Sequence, residues 1–158
     1  MRIKNEISAF FVLCILSINV YADNKKDIQI HTMLTTMDNA IENKDAETIA
    51  KYLDDNIHII MKMTLAGESK ILEFTKDKYI ETLEQGWALT EEYTYTRDKV
   101  NIEYIGKGNK AVVTTTLYEL SVVDGAPMAA LSHEKTLVEF RDGEPLIMSI
   151  TVNTDVRM

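Results

Sequence analysis

Cysteine is nearly missing from this chain. The single one, Cys14, sits inside an apolar stretch at the N-terminus. If that stretch is removed, nothing is left to act as a thiol nucleophile, a disulfide or a thiolate metal site. Proline is scarce too: only Pro127 and Pro145 occur, both in the C-terminal third. With no Pro/Ser-rich linker, internal repeat or low-complexity tract, the chain reads as one compact unit. Basic clusters are absent. The longest is the pair Lys25-Lys26, in a chain with 17 basic and 25 acidic side chains. A nucleic-acid footprint or a grip on an anionic membrane needs the opposite balance. No Gly-x-x-x-x-Gly-Lys-Ser/Thr, Gly-x-Gly-x-x-Gly or Gly-x-Ser-x-Gly occurs. Gly106-Lys107-Gly108 belongs to a hairpin turn, not a cofactor loop.

The N-terminus carries a leader pattern. Arg2 and Lys4 give a positive start. Ile7 to Val20 is apolar but for Ser8, Ser17 and Asn19, and Val20-Tyr21-Ala22 offers small residues at the −3 and −1 positions. The run is shorter than the roughly 20 apolar residues of a membrane span, and polar residues follow at once. Cys14 follows Leu13 in mid-segment, so a lipid anchor does not fit. We read 1–22 as a signal peptide cleaved near Ala22, and 23–158 as one domain that works in the periplasm or is secreted. It has no membrane span after cleavage. Loss of Arg2, Lys4 and Glu6 with the leader leaves 15 basic and 24 acidic side chains, a net of −9. That acidity chiefly favours solubility.

Periodicity supplies the elements. Ile30, Met33, Leu34, Met37 and Ile41 form one stripe of a helix from about Asp27 to Asn43. Asp45 then caps a short helix with Ala46, Ile49, Ala50 and Leu53 as its stripe; Asp54-Asp55-Asn56 stops it. Ile57, Ile59, Met61, Met63 and Leu65 alternate with His58, Ile60, Lys62 and Thr64, the period of a half-buried strand. Ala66-Gly67-Glu68-Ser69 turns it back into Ile71 to Phe74. Thr75 caps a third helix whose face carries Tyr79, Ile80, Leu83 and Trp87, with Gly86 as an allowance for close packing. Four long strands follow, at Glu92–Ile105, Lys110–Val123, Met128–Phe140 and Glu144–Val156. Their short turns require an antiparallel meander. Helices first and strands later make an α+β fold, with the helices covering one face of a curved sheet.

This layout resembles the nuclear-transport-factor-2-like superfamily, including its SnoaL-like and ketosteroid-isomerase-like members, over nearly all of Asp27 to Val156. The best local matches are Met37 to Ile60, Gly108-Asn109-Lys110-Ala111-Val112-Val113, and Phe140-Arg141-Asp142-Gly143-Glu144-Pro145-Leu146. Lys76 to Arg97 looks like exported bacterial members. The resemblance implies N-terminal helices closing a cone-shaped antiparallel sheet around a pocket, and a homodimer formed through the sheet's outer face.

The family's chemistry carries over poorly. Isomerase-type members place a carboxylate base on the first strand, where this chain has Ile60 or Met61. Neither accepts a proton, and Asp54 and Asp55 lie at the helix-to-strand corner with turn roles to fill. Dehydratase-type members use a pocket histidine and aspartate. Here His31, His58 and His133 are scattered, without His-x-His or helical i, i+4 spacing. Neither a metal nor a cofactor is expected. Met33, Met37, Met61 and Met63 suit core or pocket packing better than copper.

The pocket candidates are Tyr118, Glu134, Trp87 and His133. Glu134 shares parity with Thr136, Val138 and Phe140; Tyr118 shares it with Val112, Thr114 and Thr116. A phenol and a carboxylate at a pocket mouth can bind a polar ligand or exchange a proton. Their plainer readings are a solvated Glu and a Tyr packed with its hydroxyl at the rim. Trp87 packs the third helix on the sheet or stacks a ligand. The leading expectation is a non-catalytic domain binding a small, partly apolar ligand or a protein partner. One alternative is an isomerase, dehydratase or hydrolase built on Tyr118 and Glu134. Another is an envelope interaction module without a pocket.

Overall fold

The computed structural model describes residues 24–157, so the expected leader and Cys14 lie outside the described residues. Helix α1 covers 24–42. Its stripe of Ile30, Met33, Leu34, Met37 and Ala40 is buried, as a 3.6-residue period demands. Polar contacts fix its start to the sheet. Lys26 Nζ donates to the Gly108 carbonyl, Tyr104 Oη donates to Asp27 Oδ1 at 2.7 Å, and Gln29 Nε2 donates to the Gly143 carbonyl at 2.7 Å.

Helix α2 (Ala46–Tyr52) begins at Asp45, whose carboxylate accepts from Thr48 N at 3.0 Å and Thr48 Oγ1 at 2.6 Å. Those bonds hold the Asp45 pKa below its ordinary value. The helix passes without a loop into β1 (Leu53–Leu65), earlier than its alternation alone suggests. Asp54 therefore starts a strand. It accepts from Asn56 N at 2.9 Å and pairs with Arg141 at 2.5 Å. β2 (Glu68–Phe74) returns, and α3 (Lys76–Leu89) follows. Thr75 stands at the N-cap of α3, but its side chain makes no capping bond; its carbonyl instead accepts from Tyr79 N at 2.9 Å.

The meander is β3 (Thr90–Ile105), β4 (Lys110–Val123), β5 (Ala126–Arg141) and β6 (Glu144–Arg157). The six strands lie in the order β2-β1-β6-β5-β4-β3. Every pair is antiparallel except β1 with β6, which run parallel. The result is a curved, unclosed sheet with the helices on its concave side, the α+β cone arrangement. In β3 the register shifts between Asp98 and Asn101, with Lys99 at φ 52°. This bulge re-aims the strand. Tyr93, Tyr95 and Arg97 face the interior before it, and Val100, Ile102 and Tyr104 pack on the core after it.

The end where β3–β4 and β5–β6 turn is solid. Leu53, Ala111, Val113 and Val138 there are at most 1% exposed and join Ile30, Met33 and Ile49 in one cluster. Toward the opposite end, at the β1–β2 and β4–β5 turns, the packing opens into a cavity. No helix among the described residues is long and apolar enough to cross a membrane.

Candidate functional site

The cavity measures about 440 Å³ and is mostly apolar. Met61, Met63 and Leu65 of β1 form one wall, Tyr79, Leu83 and Trp87 of α3 another, and the meander strands the rest. The strand pleat sorts its residues into rows. Near the opening, one row inside Tyr93, Ser121 and Met128, the residues Leu65, Val156, Ala130, Glu119 and Tyr95 lie side by side in register. Next come Met63, Thr154, Ser132, Leu117 and Arg97, and below them Met61, Val152, Glu134 and Thr115. Polar groups thus enter an apolar chamber from β3, β4 and β5 at three depths.

Arg97 is the centre of this polar set. Its side chain is only 6% exposed. Nε donates to Asp38 Oδ1 at 2.9 Å, Nη1 to Glu134 Oε1 at 3.2 Å and Thr115 Oγ1 at 3.5 Å, and Nη2 to Tyr95 Oη at 2.8 Å. Burial opposes its charge, yet Glu134, Tyr95 and Asp38 outweigh burial and raise its pKa. Glu134 also accepts from Thr136 Oγ1 at 3.2 Å. One row nearer the opening, Tyr93 Oη donates to Glu119 Oε1 at 2.6 Å. Burial, then the adjacent Glu119 carboxylate, pushes the Tyr93 phenol well above its ordinary pKa. Burial does the same to Tyr79, reinforced by Glu134 and Glu119. Both phenols stay protonated, and that of Tyr93 acts as a hydrogen-bond donor.

The four candidate residues separate. Trp87 and Glu134 line the cavity. Trp87 is 8% exposed, and its carbonyl accepts from Lys44 Nζ at 3.1 Å. Tyr118 does not face the cavity: it is 44% exposed on the outer face, opposite Thr96 and Leu131. The reason is the pleat, since the inward side of β4 holds Ala111, Val113, Thr115, Leu117 and Glu119, one residue out of step with Tyr118. His133 follows the same logic. It neighbours Glu134 on β5, so it projects outward, exposed, with Nδ1 3.5 Å from Thr116 Oγ1. A Tyr118–Glu134 acid–base pair is therefore ruled out. Gly86 also differs from expectation: an added methyl there would meet nothing within 4 Å, because the residue borders the cavity.

Arg97, Asp38, Glu119 and Tyr93 were not singled out by the sequence. Arg97 and Asp38 are 59 residues apart, beyond any spacing rule. Tyr93 and Tyr95 alternate with Arg97, and that parity was the one available signal. No histidine lines the cavity: His31 is exposed on α1, and His58 lies outside with Nε2 3.2 Å from Glu73. Nor does any group of three or more His, Cys, Asp or Glu among the described residues have the arrangement to hold a metal.

No protein-family model matches the sequence, and no curated protein matches it. Solved structures do match. An NTF2-like protein from Cytophaga hutchinsonii aligns at TM-score 0.62 and 17% identity, over 81% of this chain and 96% of that one. A candidate scytalone dehydratase from Novosphingobium aromaticivorans aligns at TM-score 0.70 and 12% identity, over 87% and 90%. Hexachlorocyclohexane dehydrochlorinase type 3 from Novosphingobium barchaimii aligns at TM-score 0.65 and 10% identity, over 82% and 86%. The chain has the NTF2-like cone fold. At such identities the likeness concerns fold, and function must be argued from the site.

Proposed function

We propose that this domain binds a small, partly apolar molecule inside the cone. The observation that carries the reading is the cavity itself: about 440 Å³, lined mainly by Met, Leu, Ile and aromatic side chains with a few convergent polar groups. That combination is what ligand sites share, and a core built only for stability fills such space. The leader composition supports a role after export. The exposed Tyr118 and Leu120 on the sheet's outer face suit a homodimer contact.

The chain has one tryptophan, and it lines the cavity. Titrating 2-naphthalenemethanol, a neutral apolar probe, into the protein is expected to change Trp87 fluorescence saturably and raise Tm by linkage. A linear, unsaturable response with no Tm shift would remove the reading.

A catalytic reading draws on one contact, the 2.6 Å bond from Tyr93 Oη to Glu119. Glu119 Oε2 can take a proton from a bound carbon acid while the Tyr93 O–H leaves Oε1 and turns to the developing oxyanion. Bound ketones would then exchange α-protons with D₂O, and Glu119→Gln would abolish the exchange. Equal exchange in both proteins would sink it.

A further inference from the structure

Resting on the ligand-binding reading, we infer that the cavity takes an organic cation, an apolar body carrying an ammonium group, and disfavours carboxylates. Among the described residues, Arg97 is the only basic side chain on the lining. A single buried arginine in an apolar chamber would ordinarily mark an anion site. Here it is largely engaged. Asp38, Glu134, Thr115 and Tyr95 engage all three of its nitrogens. A carboxylate ligand would find at most one N–H left, on Nη2, beside a guanidinium whose charge is already matched by Asp38 and Glu134.

The remaining charge is negative. Glu119 and Glu134 both line the cavity. Together with Asp38 they outnumber Arg97 by three to one. Among the described residues, neither Glu119 Oε2 nor Glu134 Oε2 accepts a hydrogen bond; only their Oε1 atoms do. The Tyr79 hydroxyl likewise has no hydrogen-bond partner among the described residues, although no fully buried polar side-chain atom there is unpaired. It is therefore accessible, on a residue that borders the cavity. What the chamber offers a ligand is acceptor-rich: two carboxylate oxygens and a phenol.

The apolar lining fits the same guest. Tyr79, Trp87, Tyr93 and Tyr95 contribute four aromatic rings, and Met61 and Met63 add polarizable surface. Aromatic faces beside carboxylates attract a desolvated ammonium group, while the thioethers accommodate an irregular hydrocarbon body. A neutral guest gains from the rings but leaves the carboxylates unanswered. An anionic one meets repulsion as well.

Three probes with one naphthalene body test this: 2-naphthylmethylamine, 2-naphthalenemethanol and 2-naphthoate, titrated into the native protein at pH 7 with Trp87 fluorescence as the readout. The amine is expected to bind at least roughly tenfold tighter than the alcohol, and the carboxylate weakest. Glu119→Gln should remove most of the amine's advantage over the alcohol. Tyr79→Phe provides a second variant, expected to weaken the amine by a few-fold. If the alcohol equals the amine, or the carboxylate binds best, the cation inference is overturned while the cavity reading stands. If none of the three perturbs Trp87, the cavity reading itself falls.

Discussion

The two ends of the cone are built from the same strands to opposite purposes. At the packed end, Val113 and Val138 are fully buried and Leu53 is 1% exposed. At the open end, the corresponding strand positions are occupied by Met63, Leu65, Glu119, Ala130 and Ser121, which border empty space. A strand can therefore change role along its length by substituting small, polar or flexible residues for β-branched ones. The packed end holds the sheet's curvature, and the open end is free to carry polar groups. Arg97 stands at the boundary, fastening α1 through Asp38 to β5 through Glu134.

Removing that boundary should have the largest effect. Arg97→Met leaves two carboxylates without their cation in a partly buried site, and a loss of about 3–5 kcal/mol is expected. Urea unfolding measures it, and a loss under about 1 kcal/mol would mean the cluster is solvated rather than structural. The contrast between the ends is sharpened by two truncations. Leu53→Ala should cost about 2–5 kcal/mol, whereas Met63→Ala, beside space that already exists, should cost less than about 1 kcal/mol. Equal losses would erase the distinction between solid and hollow ends.

The smallest effect concerns acid, at the packed end. Asp54 has its pKa held below the ordinary 3.8, first by the Asn56 N–H and then, against the cost of burial, by Arg141. A carboxyl whose folded pKa is depressed stabilises the fold above its unfolded pKa, and that contribution disappears as pH falls through the folded value. The native protein should therefore lose Tm on acidification below about pH 4, and Asp54→Asn should show a shallower decline. Parallel curves for the two proteins would show that other carboxylates govern the acid limb.

Element order was legible because period-2 and period-3.6 patterns are local. The Asp45 cap, the Gly67 and Gly143 turns and the meander followed from the same local signals. Parity was legible only relatively. Glu134, Thr136 and Val138 clearly share a face, but on β4 both parities are β-branched or apolar, as Val112, Thr114 and Thr116 against Val113, Thr115 and Leu117 show. Nothing local says which face turns inward, and the row of Val112, Thr114, Thr116 and Tyr118 proves to be the outward one. The bulge at Lys99 adds a second parity change within β3. The Asp38–Arg97–Glu134 cluster needs α1, β3 and β5 to be folded against one another before it exists, so no stretch of sequence displays it.

The parallel seam between β1 and β6 has a consequence for how the protein forms. β6, which follows the other five along the chain, sits between β5 and β1, so the first hairpin stays detached from the meander until β6 has been made. Contacts of such long sequence separation delay folding. Until β6 is in place, the β1–β2 hairpin and the β3–β5 meander are two separate pieces of sheet, each with an unpaired edge.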